Sequence, residues 1–67
     1  MAPQTLGMTL IARREATGLT QVELAKKAKL SQAYVASLES GYRTNPSLAI
    51  LQRLAKALRV PVTALLG

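Results

Sequence analysis

The sequence predicts an all-α fold of short helices, and three observations carry that reading. A hydroxyl residue suited to capping a helix stands at Thr5, Thr20, Ser31 and Ser47, each in front of a run of helical periodicity. Apolar residues behind those caps recur three or four positions apart, which puts them on one face of a helix. Between the runs lie Gly18, Gly41, Pro46 and Pro61, residues that end helices or cannot continue them. The 67 residues make one domain, 1–67, and chains of this size bury only about 60% of their unfolded surface, so stability is modest.

Residues 1–4 contain Pro3 and no helical pattern, and read as a flexible arm. Thr5 caps a first helix that runs to about Thr17 and ends at Gly18, with Leu6 and Leu10 facing inward and Met8 and Ile11 to the side. Arg13 and Arg14 point about 100° apart on the wheel. Taken alone they read as solvated charges. Thr20 opens a second helix, Gln21 to about Ala28, and Glu23 completes a capping box. Val22, Leu24, Ala25 and Ala28 supply its apolar side, with Lys26 and Lys27 outward. Ala25 is small enough to let two steeply crossed helices approach, and Leu30 in the following turn fills the wedge between them.

Ser31 caps a third helix in which Val35 and Leu38 stand one turn apart. Gly41 to Pro46 is turn-rich and has no helical period. Ser47 caps a fourth helix, Leu48 to about Leu58, whose Leu48, Leu51, Leu54, Ala55 and Leu58 form a continuous apolar stripe. Arg53, Lys56 and Arg59 lie on its far or flanking side, as charges that steer an approaching anion without touching it. Pro61 begins a last short helix through Leu66, apolar enough either to close the core or to meet a second copy.

The outer stripe of the third helix decides the functional reading. Gln32, Ala33, Ala36, Ser37 and Ser40 fall on one face that is small, polar and uncharged. Such a face suits the major groove, where Gln makes a bidentate contact to adenine, Ser bonds either kind of edge and an Ala methyl lies against a thymine methyl. A solvated face that is merely small competes with it, and on the stripe alone the two stand level. The helix contains no Arg or Lys, so guanine is not read by the usual arginine fork.

Composition bounds the partners. Nine Lys and Arg against three Glu give a net charge of +6 and a pI near 10.6, the footprint of a polyanion-binding domain. A membrane surface is less suited, because the chain has no Trp or Phe and spreads its charges over several helices. With no Cys and no His there is no disulfide framework, thiolate metal site or histidine base. No nucleophile sits beside a base and no Gly-rich phosphate loop exists, so neither an enzyme nor a cofactor or metal is expected. No apolar run approaches ~20 residues and no signal pattern opens the chain, so a cytoplasmic protein is expected.

Gln21, Ala25, Leu30, Val35, Leu38, Glu39 and Gly41, at these spacings, resemble the helix-turn-helix of the Cro and lambda-repressor-like (Xre-type) DNA-binding domains. Arg14-x-x-x-Gly18-Leu19-Thr20-Gln21 before that window, and Pro46-Ser47-Leu48 with Leu54-Ala55-x-Ala57-Leu58 after it, extend the resemblance over about residues 6 to 66. It implies a compact bundle of five short helices, a helix-turn-helix formed by helices 2 and 3, and helix 3 as the recognition helix. It also implies an ion pair between Arg14 and Glu39 that ties helix 1 to helix 3. Lys29 departs from the pattern, since the family usually has Gly at this turn; a Lys with positive φ there costs about 1 kcal/mol.

The resemblance implies a sequence-specific transcriptional regulator of double-stranded DNA, a repressor in its simplest form, acting as a homodimer on an inverted repeat. Base contacts are then expected from Gln32, Ala33, Ala36 and Ser37. Backbone contacts are expected from Gln21, Ser31, Tyr34, Tyr42, Arg43, Thr44 and Asn45. Three of these carry a second reading: Gln21 as a tolerated first-turn residue, and Tyr34 and Tyr42 as packed rings with hydroxyls in water. No appended sensing segment follows Leu66, so no small-molecule effector site is expected. A protein-interaction or antitoxin-like module on the same fold is the alternative.

Overall fold

The computed structural model describes residues 5–66; the arm expected at residues 1–4 and Gly67 lie outside them. Four α-helices follow one another, α1 Leu6–Ala16, α2 Gln21–Ala28, α3 Gln32–Glu39 and α4 Leu48–Leu58, and then a 3-10 turn, Val62–Ala64. All four hydroxyl caps are made. Thr5, Thr20, Ser31 and Ser47 accept the backbone N–H of Met8, Glu23, Tyr34 and Ile50 at 3.2, 3.1, 3.0 and 3.2 Å. Each serves an N–H that the helix leaves without a carbonyl, a contribution of ~1 kcal/mol.

At α2 the cap is reciprocal: the Thr20 N–H donates to Glu23 Oε1 at 2.9 Å. That backbone bond holds the Glu23 carboxyl below its ordinary range, with the Thr20 side chain and the Lys27 and Lys26 charges acting the same way. The unfolded chain therefore takes up this proton first as pH falls. The stabilisation is full above the unfolded carboxyl's pKa of about 4.3 and is lost as pH falls through the folded one. Glu23→Gln keeps an uncharged reciprocal cap. Urea midpoints measured at successive pH values should fall more steeply for the wild type than for this variant below about pH 5. Parallel curves would show that the bond does not persist in solution.

α2 lies at the centre, packed on both α3 and α4, while α1 packs on α3. Leu10, Leu24, Val35, Leu38, Leu54 and Leu58 are fully buried between them. Ala25 and Ala28 are buried where α2 meets its neighbours, and Leu30 packs half-buried against the same core from the turn. Gly7 is buried as well, on the face of α1 that meets the last turn of α3.

Two residues expected in the core are outside it. Val22 is 42% exposed because it stands roughly 110° round the wheel from the centre of the face made by Leu24, Ala25 and Ala28. Leu48 is 56% exposed because it opens α4 about a turn beyond Leu51, at the edge of the packed face. The expected fifth helix is also shorter than expected. Pro61 makes no side-chain cap, and the bonds that follow, Ala64 N–H to Pro61 O and Leu65 N–H to Val62 O, span three residues rather than four. So short a segment cannot offset the cost of nucleating an α-helix. Leu65 nevertheless closes the core, and Leu66 is exposed.

Three helices end in the same motif. After α1, α2 and α4 a residue turns left-handed, Gly18 at φ 76°, Lys29 at φ 58° and Arg59 at φ 58°. The next N–H reaches back in each case: Leu19 to Arg14 O, Leu30 to Ala25 O and Val60 to Ala55 O. Lys29 thus adopts the conformation that the family's Gly would, and Arg59 does so without any signal in the sequence. Arg53 is not directed into solvent alone. Its Nε donates to Ala28 O at 2.9 Å and its Nη2 to Lys29 O, so its guanidinium holds two carbonyls at the end of α2.

Candidate nucleic-acid interface

α3 is anchored from its C-terminal end. Glu39 is a charged residue in the core, its side chain 3% exposed, and three donors converge on it. Arg14 gives a two-pronged contact, Nε to Oε2 at 2.6 Å and Nη2 to Oε1 at 3.1 Å. Gln21 Nε2 donates to Oε1 at 2.9 Å. The third arm of Arg14, Nη1, donates to Leu19 O at 2.9 Å. One carboxylate therefore joins α1, the start of α2 and the end of α3. The Glu39 hydrogen bond holds the Arg14 guanidinium above its ordinary pKa, against burial, which pulls the other way.

Gln21 is consequently not free to turn its whole amide to a phosphate. One N–H belongs to Glu39, and the amide nitrogen keeps a second donor. The Glu39 bond fixes the direction in which that donor points.

Along α3, Gln32 and Ala33 are exposed in the first turn, and Ala36 and Ser37 are half-buried one turn on. The Ser37 hydroxyl donates to Tyr34 O at 2.6 Å, which leaves it as an acceptor toward anything outside. Ser31 is the reverse case. Its oxygen accepts the Tyr34 N–H while its own hydroxyl hydrogen remains available to an anion.

The loop after α3 is tied back to the helix. Arg43 N–H donates to Ser37 O at 3.0 Å, and its guanidinium lies 5.3 Å from the centre of the Tyr34 ring. Tyr42 is 85% exposed beside it, so its ring is not packed into the core. Ser31, Ala33, Tyr34, Ser37, Tyr42 and Arg43 line one shallow groove of ≈210 Å³. Gln32 stands exposed in the first turn of α3, and Thr44 and Asn45 are exposed further along the loop, outside this groove.

Two residues that shape this face escaped the sequence reading. Gly7 sets how close α1 comes to α3, and Arg53 holds the turn between α2 and α3. The only sequence signal for Gly7 is a glycine inside a helix between inward-facing leucines, which often marks close packing. Arg53 has none, because its partners are 24 and 25 residues away.

A helix-turn-helix family model matches residues 10–65. The chain is 46% identical over 63 residues to the immunity repressor protein of Bacillus phage phi105, an alignment covering 94% of this chain and 43% of that one. It is 34% identical to the transcriptional regulator SinR of Bacillus licheniformis, covering 92% of this chain and 56% of SinR. The chain thus spans about half the length of these curated relatives. Among solved structures, SinR in complex with DNA superposes with a TM-score of 0.91 at 33% identity, covering 94% of this chain and 100% of that one. The DNA-binding domain of the P22 c2 repressor gives 0.92 at 29% identity, covering 98% and 86%. The lambda-repressor-like fold and the match along most of its length place this chain in the Xre, Cro and CI-type helix-turn-helix family of DNA-binding transcriptional regulators, which are not enzymes.

Proposed function

We propose that this chain is a sequence-specific regulator of double-stranded DNA, a repressor, that binds as a homodimer to an inverted repeat with α3 in the major groove. The observation that carries the reading is the pairing of an uncharged helix face with a charged, pinned flank. Gln32, Ala33, Ala36 and Ser37 offer groups matched to base edges, and Arg43, stacked on Tyr34, stands beside them. Gln21 and Ser31 each retain one directed donor for a phosphate, and Tyr42, Thr44 and Asn45 extend the backbone contact along the loop. Ser37, limited to accepting, selects the amino group of adenine or cytosine. One eight-residue recognition helix makes few base contacts. A dimer on half-sites about 34 Å apart doubles them. Repression in the cytoplasm follows the relatives, a phage immunity repressor among them.

Selection of bound duplexes from a random pool, at low and at moderate salt, tests the reading. An enriched inverted repeat that survives moderate salt is the expected result. Binding that is blind to sequence and vanishes with salt would leave only the basic charge, and would turn attention to a protein partner. On the selected site, Gln32→Ala should cost ~1–3 kcal/mol and relax preference at one base pair, read by competition with single-base variants. Unchanged affinity and preference would remove Gln32 from the base-reading set.

A further inference from the structure

Five of the nine Lys and Arg residues gather away from α3. Lys27 and Lys29 at the end of α2, and Arg53, Lys56 and Arg59 on and after α4, line one open cleft of ≈450 Å³. Its only other lining residues are Ala28 and Ala57, and no residue of α3 or of the loop after it takes part. Two helix C-termini meet here, and each carries about half a negative charge. Together they balance roughly one of the five cations. No carboxylate lines the cleft, and the ion pair among the described residues, Arg14 with Glu39, is elsewhere.

Two of these cations also stand where a glycine would be more comfortable. Lys29 and Arg59 both hold φ 58°, a conformation that disfavours any residue with a side chain. The equivalent position after α1, which does not line this cleft, is Gly18. Local backbone preference therefore opposes the charge at both cleft positions, and the charge is there.

The shape selects among anions. A volume of ≈450 Å³ is that of a small-molecule site. A duplex seated on α3 would leave this cleft free, since no residue of α3 lines it. Two alanine methyls give no pocket for the aromatic or aliphatic anchor on which a protein partner's affinity concentrates. We infer that the cleft is a polyphosphate site, taking a chain of three or more linked phosphates, free or as the tail of a nucleotide. Arg53 is held rigid by the Ala28 and Lys29 carbonyls, and Arg59 with the three lysines supplies donors to the phosphate oxygens. An adjoining cavity of ≈420 Å³ shares Lys27, Ala57 and Arg59 and runs on to Thr17 and Leu19, with room for a nucleoside or a longer chain.

The test is calorimetric titration with tripolyphosphate at about 50 mM salt, where phosphate contacts are strong, on the protein alone and after saturation with a short duplex. One equivalent should bind in both cases. The double variant Lys29→Gly/Arg59→Gly relieves both left-handed positions, so it should melt no lower than wild type. It should bind tripolyphosphate at least about tenfold more weakly, having lost two of the five charges. ATP binding as tightly as tripolyphosphate, or more tightly, would agree with the site, the second outcome placing the nucleoside in the adjoining cavity. Three results would overturn it: loss of binding once duplex is present, undiminished affinity in the double variant, or tighter binding of an oligoglutamate peptide than of tripolyphosphate. The duplex arm separates this site from the DNA face, so it can fail while the DNA reading stands.

Discussion

Arg14→Ala should leave the domain largely unfolded at 25 °C. The Arg14 side chain is 15% exposed and that of Glu39 3%, so the pair is not screened as a surface bridge is. Removing one partner strands the other charge, at a cost of about 3–5 kcal/mol. A single core of this size rarely supplies more than about 3–5 kcal/mol in total. Urea titration followed by circular dichroism should therefore show a cooperative transition for wild type and no native baseline for the variant. Arg14→Lys should fall between them, because an ammonium keeps the charge but cannot meet both Glu39 oxygens and Leu19 O in one plane. The double variant Arg14→Met/Glu39→Leu should be more stable than Arg14→Ala, since it buries no lone charge, yet below wild type, since the Gln21 amide loses its acceptor. An Arg14→Ala midpoint close to wild type would mean that water reaches Glu39 after all.

What could be read from the chain was local. Each cap involves residues three apart, so Thr5, Thr20 with Glu23, Ser31 and Ser47 announced their helices directly. The α4 stripe was equally plain from Leu51 to Leu58, and failed only at Leu48, because periodicity gives the face but not where the neighbouring helices stop. The same limit misplaced Val22. Of the distant partnerships, Arg14 with Glu39 was legible only through the family resemblance; nothing near Arg53 in sequence points to Ala28 O, and nothing near Gln21 points to Glu39. Arg59 was missed for a different reason. Left-handed caps are sought at Gly or Asn, and a residue that adopts the conformation against its own preference leaves no mark. In the candidate interface the stripe on α3 was legible because one helix carries it, while the basic cleft was not, because two helices separated in sequence build it.

Gly7→Ala should destabilise the domain even though alanine is the better helix former. A Cβ at residue 7 would lie 2.6 Å from both Leu38 O and Glu39 O and 3.1 Å from the Glu39 carbonyl carbon. These are backbone atoms in the last turn of α3, which cannot rotate aside as a side-chain tip would. Relief requires α1 to move off α3, and overpacking of this kind costs typically 1–3 kcal/mol, occasionally more. Alanine's helix preference over glycine returns only about 0.5–1 kcal/mol. The movement also pulls Arg14, on α1, from Glu39, on α3, so the cost lies toward the upper end. A net loss of about 2 kcal/mol corresponds to a fall in melting temperature of roughly 8–16 °C for a domain of this length. Ala12→Gly, on the exposed face of the same helix, measures the propensity effect alone and should cost about 0.5–1 kcal/mol. Alanine should therefore be the worse residue at position 7 and the better one at position 12. If alanine raised the melting temperature at both, α1 and α3 would have to stand farther apart in solution, and the tie from Arg14 to α3 would be looser than its 2.6 Å bond to Glu39 implies.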